Sequence, residues 1–173
     1  MKSRRCSIVL TVAFLTLIVS NSTALAIGDD KYSRPSLKGL KKLTVVVQIE
    51  KPLSDDFKGV GLTEERIRTG IELKLREASI DVIYVASLPS DIPVFHVELN
   101  GSKRKDETFS FLIEVELWQK TKLKRDPQIE VIAATWSAGV FGLGSASHIA
   151  NDVMEWLNGM MDTFIKAYAS ANS

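Results

Sequence analysis

Apolar and polar residues alternate from residue 43, where Leu43, Val45, Val47 and Ile49 are separated by Thr44, Val46, Gln48 and Glu50. A β-branched run with a period of two predicts a strand with one buried face. Beyond residue 62 the period lengthens: Ile67, Ile71, Leu75 and Ala78 recur at spacings of three and four, which predicts an amphipathic helix. Thr63 is placed to cap it, Glu64 and Glu65 suit its first turn, and Leu62 with Ile67 form a hydrophobic staple across its start. Residues 52–61 read as a turn-rich connection, and residues 80–85 as a second strand once the helix ends near Ser79.

The period of two returns at residue 92. Phe95, Val97 and Leu99 point one way and Val94, His96 and Glu98 the other, and Asn100-Gly101 predicts a hairpin turn. The longest alternation, Phe109, Phe111, Ile113, Val115 and Leu117, is backed by Ser110, Leu112, Glu114, Glu116 and Trp118, so one face is apolar and the other mixed. A basic turn at 122–126 leads into a fifth strand over 128–138, and a glycine-rich connection over 139–145 into the last helix. There Ile149, Val153, Trp156, Leu157, Met160, Phe164, Ile165 and Tyr168 form one stripe, and Ser145 or Ser147 is placed as its cap. The order β-α-β-β-β-β-α predicts an α+β fold, a two-layer α/β sandwich with a mixed sheet and both helices on its apolar face.

The first 26 residues follow a different logic. Lys2, Arg4 and Arg5 precede an apolar run from residue 8 to 19, and a polar break leads to Ala24-Leu25-Ala26, the pattern of a secretory signal peptide cleaved between Ala26 and Ile27. The run has 12 residues, whereas a bilayer-spanning helix needs about 20. Residues 27–42 read as a flexible leader and 43–170 as a single α/β domain. Cys6 is the sole cysteine and falls within the signal segment, so the expected mature chain has no disulfide and no thiol nucleophile. The signal carries three of the 22 basic residues and none of the 21 acidic ones, which leaves the remainder at −2. That balance gives no general attraction to nucleic acid.

Candidate chemistry is sparse. The glycines of residues 139–144 lack both the P-loop lysine and GxGxxG spacing. His96 could gather Glu98 and Glu114 into a carboxylate-histidine site, but no metal-ligand spacing such as HExxH accompanies it. His148 reads as a solvent or capping residue. The cluster Lys103, Arg104, Lys105 and the cluster Lys120, Lys122, Lys124, Arg125 belong to turns at opposite ends of the sheet, which argues against a continuous nucleic-acid stripe. Asn100-Gly101-Ser102 matches a glycosylation sequon, but a hairpin explains it equally.

Gly61-Leu62, Leu75-Arg76-Glu77-Ala78-Ser79-Ile80, Lys124-Arg125-Asp126, Ala134-Thr135-Trp136 and Asp162-Thr163-Phe164-Ile165-Lys166-Ala167-Tyr168 resemble motifs of a family of small secreted bacterial proteins that has no assigned function. Ser79 departs from that pattern, which favours glycine after the helix. The element order also resembles, more loosely, the α/β amino-terminal domain of TolB and related domains of outer-membrane assembly proteins. That resemblance implies an envelope protein that binds other proteins. With no catalytic or metal-ligand signature in the sequence, the leading expectation is a periplasmic or secreted, non-enzymatic binding or assembly module with no cofactor or metal, its partner an envelope protein or a second copy. The candidate interaction face is the mixed side of the sheet, carrying His96, Leu112, Glu114, Glu116, Trp118 and Ile132. The competing expectations are a small hydrolase or ligand-binding enzyme built on His96 and its neighbouring carboxylates, and a structural homo-oligomer.

Overall fold

The computed structural model describes residues 29–51, 53–85 and 91–173, so the expected signal peptide and its Ala26–Ile27 cleavage site lie outside the described residues. Strand β1 (Lys42–Ile49) buries Leu43, Val45, Val47 and Ile49, as its alternation requires. Helix α1 (Leu53–Gly59) and helix α2 (Glu64–Glu77) follow, then the two-residue strand β2 (Asp81–Val82). Strands β3 (Val94–Lys103), β4 (Thr108–Leu123) and β5 (Asp126–Ser145) form a meander, and helix α3 (Ile149–Asn172) closes the chain. The sheet order is β2-β1-β3-β4-β5, with β1 parallel to both neighbours and β3, β4 and β5 antiparallel. The fold is α+β, with a mixed sheet.

One cluster forms the core. It joins Ile67, Ile71 and Leu75 of α2 and Val153, Leu157, Met160 and Phe164 of α3 to Phe95, Val97, Leu99, Ile113, Val115 and Leu117 of the sheet. Because successive strand residues point to opposite faces, the helices all lie on the side carrying these residues. The other side of the sheet has no helix among the described residues. Thr63 caps α2 by accepting from the Arg66 amide at 3.2 Å. The same helix ends in a Schellman motif: Ile80 N–H donates to the Leu75 carbonyl at 3.0 Å and Ser79 N–H to that of Arg76 at 2.9 Å. This geometry holds Ser79 at φ 62°, the left-handed conformation that glycine adopts most easily.

The second strand, expected over 80–85, is only Asp81–Val82, and four further segments differ from the sequence-based expectation. Within the stretch expected to be a flexible leader, Arg34–Leu37 forms a 3-10 helix whose Leu37 is fully buried, and Leu40 is buried after it. The Gln119 amide group donates to the Ser36 carbonyl at 3.1 Å and helps hold this segment to the sheet. The expected turn-rich connection contains α1, whose Leu53 and Phe57 are buried, with Phe57 against Phe109 at 5.6 Å between ring centroids. Asn100-Gly101 is not a turn. Strand β3 runs through it, and the chain reverses at 104–107, where Glu107 takes φ 62°. Gly101 lies opposite Phe111, so its missing side chain lets the two strands and Leu53 approach.

The fourth difference is the glycine-rich segment, which continues β5 instead of forming a connection. The cap expected from Ser145 or Ser147 is also absent: His148 occupies the N-cap position without a side-chain capping bond, and the two serine hydroxyls lie 2.9 Å from each other.

Candidate functional site

Strand pairing assembles the side of the sheet away from the helices. His96 stands opposite Glu116, Glu98 opposite Glu114, and Asn100 opposite Leu112. On the next ladder Leu112 faces Phe141 and Glu116 faces Ser137. A bulge between Leu117 and Trp118 then shifts the register, so that Leu117 is paired with Trp136 but Trp118 with Ala134. A one-residue shift exchanges the two faces of a strand. It lets Trp136 remain in the core while Ile132, opposite Lys120, points outward with Trp118.

Two apolar regions result. At one end Trp118 is 40 % exposed and Ile132 45 % exposed. The Trp118 indole packs obliquely on the His96 ring with centroids 5.4 Å apart, and its N–H donates to Glu116 Oε2 at 2.7 Å. At the other end Leu112 lies beside Phe141, with Leu143 next on the same face; these last two are 59 % and 64 % exposed. Glu114, Glu116, Ser137 and Gly139 separate the two regions. Leu112 is six residues along β4 from Trp118, about 20 Å at the rise of a strand. The six residues expected to form the interaction face therefore share one side of the sheet, but their apolar members fall into two regions with Glu114 and Glu116 between them.

Phe141 and Leu143 escape the sequence reading because the glycines around them read as a connection. The available signal is the alternation of Ala138, Val140 and Gly142 with Phe141 and Leu143.

The contact His96 makes is with the Trp118 ring, although Glu116 stands opposite it and Glu98 follows two residues along the same face. Glu98 accepts from the Asn100 side-chain amide at 2.9 Å and Glu116 from Trp118. Among the described residues no group of three or more histidine, cysteine, aspartate or glutamate side chains could hold a metal ion. The basic clusters sit at opposite ends of β4, and several members are paired: Lys103 with Glu107, Lys120 with Asp91 at 2.7 Å, and Lys122 with Glu130 at 3.8 Å. The Lys120 ammonium holds the Asp91 carboxyl below its ordinary range through a hydrogen bond and direct charge attraction. None of the described helices is long and apolar enough to cross a membrane.

No protein-family model matches the chain, and no curated protein matches it. Among solved structures it is similar to a minor lipoprotein from Acinetobacter baumannii, at 11 % sequence identity and a TM-score of 0.35, covering 76 % of this chain and 94 % of that one.

Proposed function

We propose that this chain is an exported, non-enzymatic binding or assembly module of the bacterial cell envelope. It docks a protein partner, or a second copy, on the open face of its sheet. The observation that carries this reading is the pair of exposed apolar regions, Trp118 with Ile132 and Phe141 with Leu143, on a face lacking a helical cover among the described residues. Contiguous exposed apolar surface with a polar surround marks interaction sites more often than scattered single residues do. Trp118 has the chemistry of an interface anchor, a large rigid ring whose orientation is held by His96 and Glu116. Export is supported by the signal-peptide pattern ahead of Ile27.

The reading is tested in two steps. N-terminal sequencing of the protein from its host should find Ile27 first, and an accumulated chain with intact Met1 would remove the envelope from the proposal. A photo-crosslinking residue at Ile132 should yield a discrete adduct in the envelope fraction that disappears in the Trp118→Ala background. Sedimentation of the purified protein identifies a self-adduct. Crosslinking unchanged by Trp118→Ala, from a normally folded variant, would reject this face.

A further inference from the structure

Strand β5 is an edge of the sheet, and its second half has backbone groups to offer. Arg104 N–H donates to the Thr108 carbonyl at 2.7 Å, and bonded pairs of an antiparallel ladder recur at every second residue. The even-numbered residues of β4 therefore bond to β3. The odd-numbered ones, Phe109 to Leu117, bond to the even-numbered residues of β5 from Trp136 to Gly144. Ser137, Gly139, Phe141 and Leu143 then turn their N–H and C=O groups away from β4, and among the described residues no strand lies beyond them. Phe141 and Leu143 are exposed and Ser137 and Gly139 partly so, which makes this row reachable.

The first half of β5 is guarded against pairing, and the second is not. Asp126, Pro127 and Glu130 bring charge and a missing donor to the first half. The bulge opposite Leu117 and Trp118 interrupts it, and the 3-10 helix Arg34–Leu37 closes it where the Ser36 hydroxyl donates to the Thr135 carbonyl at 3.2 Å. These are the devices that keep edge strands apart. From Val131 to Asn151, by contrast, the chain has no Asp, Glu, Lys or Arg. The stretch from Ser137 to Leu143 is about 20 Å long. In the processed chain only Ile27 and Gly28 precede Asp29, which lies at Trp136, and two residues reach no further than about 7 Å. Residues 86–90 return to Asp91, which is held by Lys120 opposite Ile132, five positions short of Ser137.

We infer that the occupant of this edge is a second copy of the chain, whose Ser137–Leu143 stretch pairs antiparallel with the first across a two-fold axis at Val140. The inference rests on the functional reading above, both for the Phe141 region as a docking surface and for removal of the signal peptide. Self-pairing suits this stretch in three ways. It brings no like charges together, because there are none. It sets Phe141 opposite the partner's Gly139 and Leu143 opposite the partner's Ser137, so that large side chains lie over small ones on the open face, as aromatic residues cover glycines in neighbouring strands. The closure at Thr135 then stops both copies at the same place, which fixes the register. The pairing is isologous and ends at two chains. So short a stretch belongs with interfaces below about 1,200 Å², and the dimer should be reversible.

Sedimentation of the processed protein purified from its host measures the association, up to roughly 0.1 mM as a weak interface requires. Phe141→Lys and Leu143→Lys should each weaken dimerisation about tenfold or more, with unchanged circular dichroism spectra. Phe141→Asp should do the same alone. An equimolar mixture of Phe141→Lys and Phe141→Asp should associate again, because these two positions lie diagonally across the axis. Nitroxides on Leu143→Cys should sit about 20 Å apart, six strand positions from each other. Trp118→Ala, at the other end of the face, should dimerise like wild type, and N-terminal sequencing of the same preparation reports on export separately. A monomer throughout the range, wild-type association by both folded lysine variants, a mixture that stays monomeric, or labels in close contact would each overturn the inference.

Discussion

The ring of Phe111 occupies the space that a side chain at Gly142 would fill. The two residues are cross-strand partners on the core side of the sheet, and a Cβ at Gly142 would lie 2.8 Å from Cε2 of the ring and closer still to Cζ. The ring is also held edge-on by Trp156 at 6.0 Å between centroids, so it cannot swing away freely. Gly142→Ala should therefore destabilise the protein by about 1–3 kcal/mol, the usual cost of overpacking. Urea melts measure it. A change below about 0.5 kcal/mol would show that the ring relaxes at little cost.

Ser79 and Gly159 invite exchanges in opposite directions. Ser79 sits at φ 62° in the Schellman turn, whereas Gly159 lies on the exposed side of α3, where an added methyl group would meet nothing within 4 Å. Ser79→Gly should stabilise by about 1 kcal/mol by relieving the left-handed backbone. Gly159→Ala should add about 1 kcal/mol through helix propensity. Thermal melts of the single and double variants should show additive gains, since the two sites share no partner.

The elements most legible in the sequence are those whose stability is decided locally. Strand β1, helix α2 with its Thr63 cap, and helix α3 each announce themselves by period, and the apolar face of β4 follows from Phe109 to Leu117 without help from other segments. The 3-10 helix at Arg34 and the seven-residue α1 are too short to display a period, and their anchors, Leu37 and Phe57, are recognisable only once the sheet exists to receive them. The second half of β5 is hidden because its glycines carry two meanings: they read as turn residues in isolation and as room for Phe111 in the folded sheet. His96, Glu116 and Trp118 can be grouped from alternation and one hairpin. Phe141 and the bare edge of β5 cannot, because both depend on where strands begin and stop.

Acid should loosen the N-terminal segment. Asp29 accepts two hydrogen bonds from the Arg34 guanidinium at 2.9 Å each and a longer one from the Trp136 indole at 3.5 Å. The Arg34 hydrogen bonds, with the smaller contribution of Trp136, outweigh desolvation and hold the Asp29 carboxyl below its ordinary value of 3.8. A carboxyl depressed in the folded state stabilises it above the unfolded value and loses that effect as pH falls through the folded one. Wild type should exceed Asp29→Asn in stability by about 1 kcal/mol at pH 6. The gap should close as pH falls from above the ordinary carboxyl value of 3.8 through the lowered folded one. Urea melts across that range decide it, and a gap that persists at low pH would assign the difference to packing instead of charge.

Phe164 is the residue on which the two layers meet. It is fully buried, with Phe95 edge-on at 4.9 Å and Trp136 edge-on at 5.0 Å between ring centroids, so one ring of α3 touches both β3 and β5. Sequence periodicity places it on the stripe of α3 that faces the sheet, and the ring contacts it makes there are aromatic. Phe164→Ala removes the ring and leaves a cavity among rigid neighbours, for an expected loss of about 3–5 kcal/mol. Two residues earlier, Asp162 lies on the exposed side and reaches Lys74 of α2 at 2.6 Å. That ion pair is largely solvated, so Asp162→Ala should cost no more than about 1 kcal/mol. The contrast distinguishes the packed stripe of α3 from its flank. Similar losses for both variants would mean that the tie between α2 and α3, and not the aromatic cluster, holds this helix on the sheet.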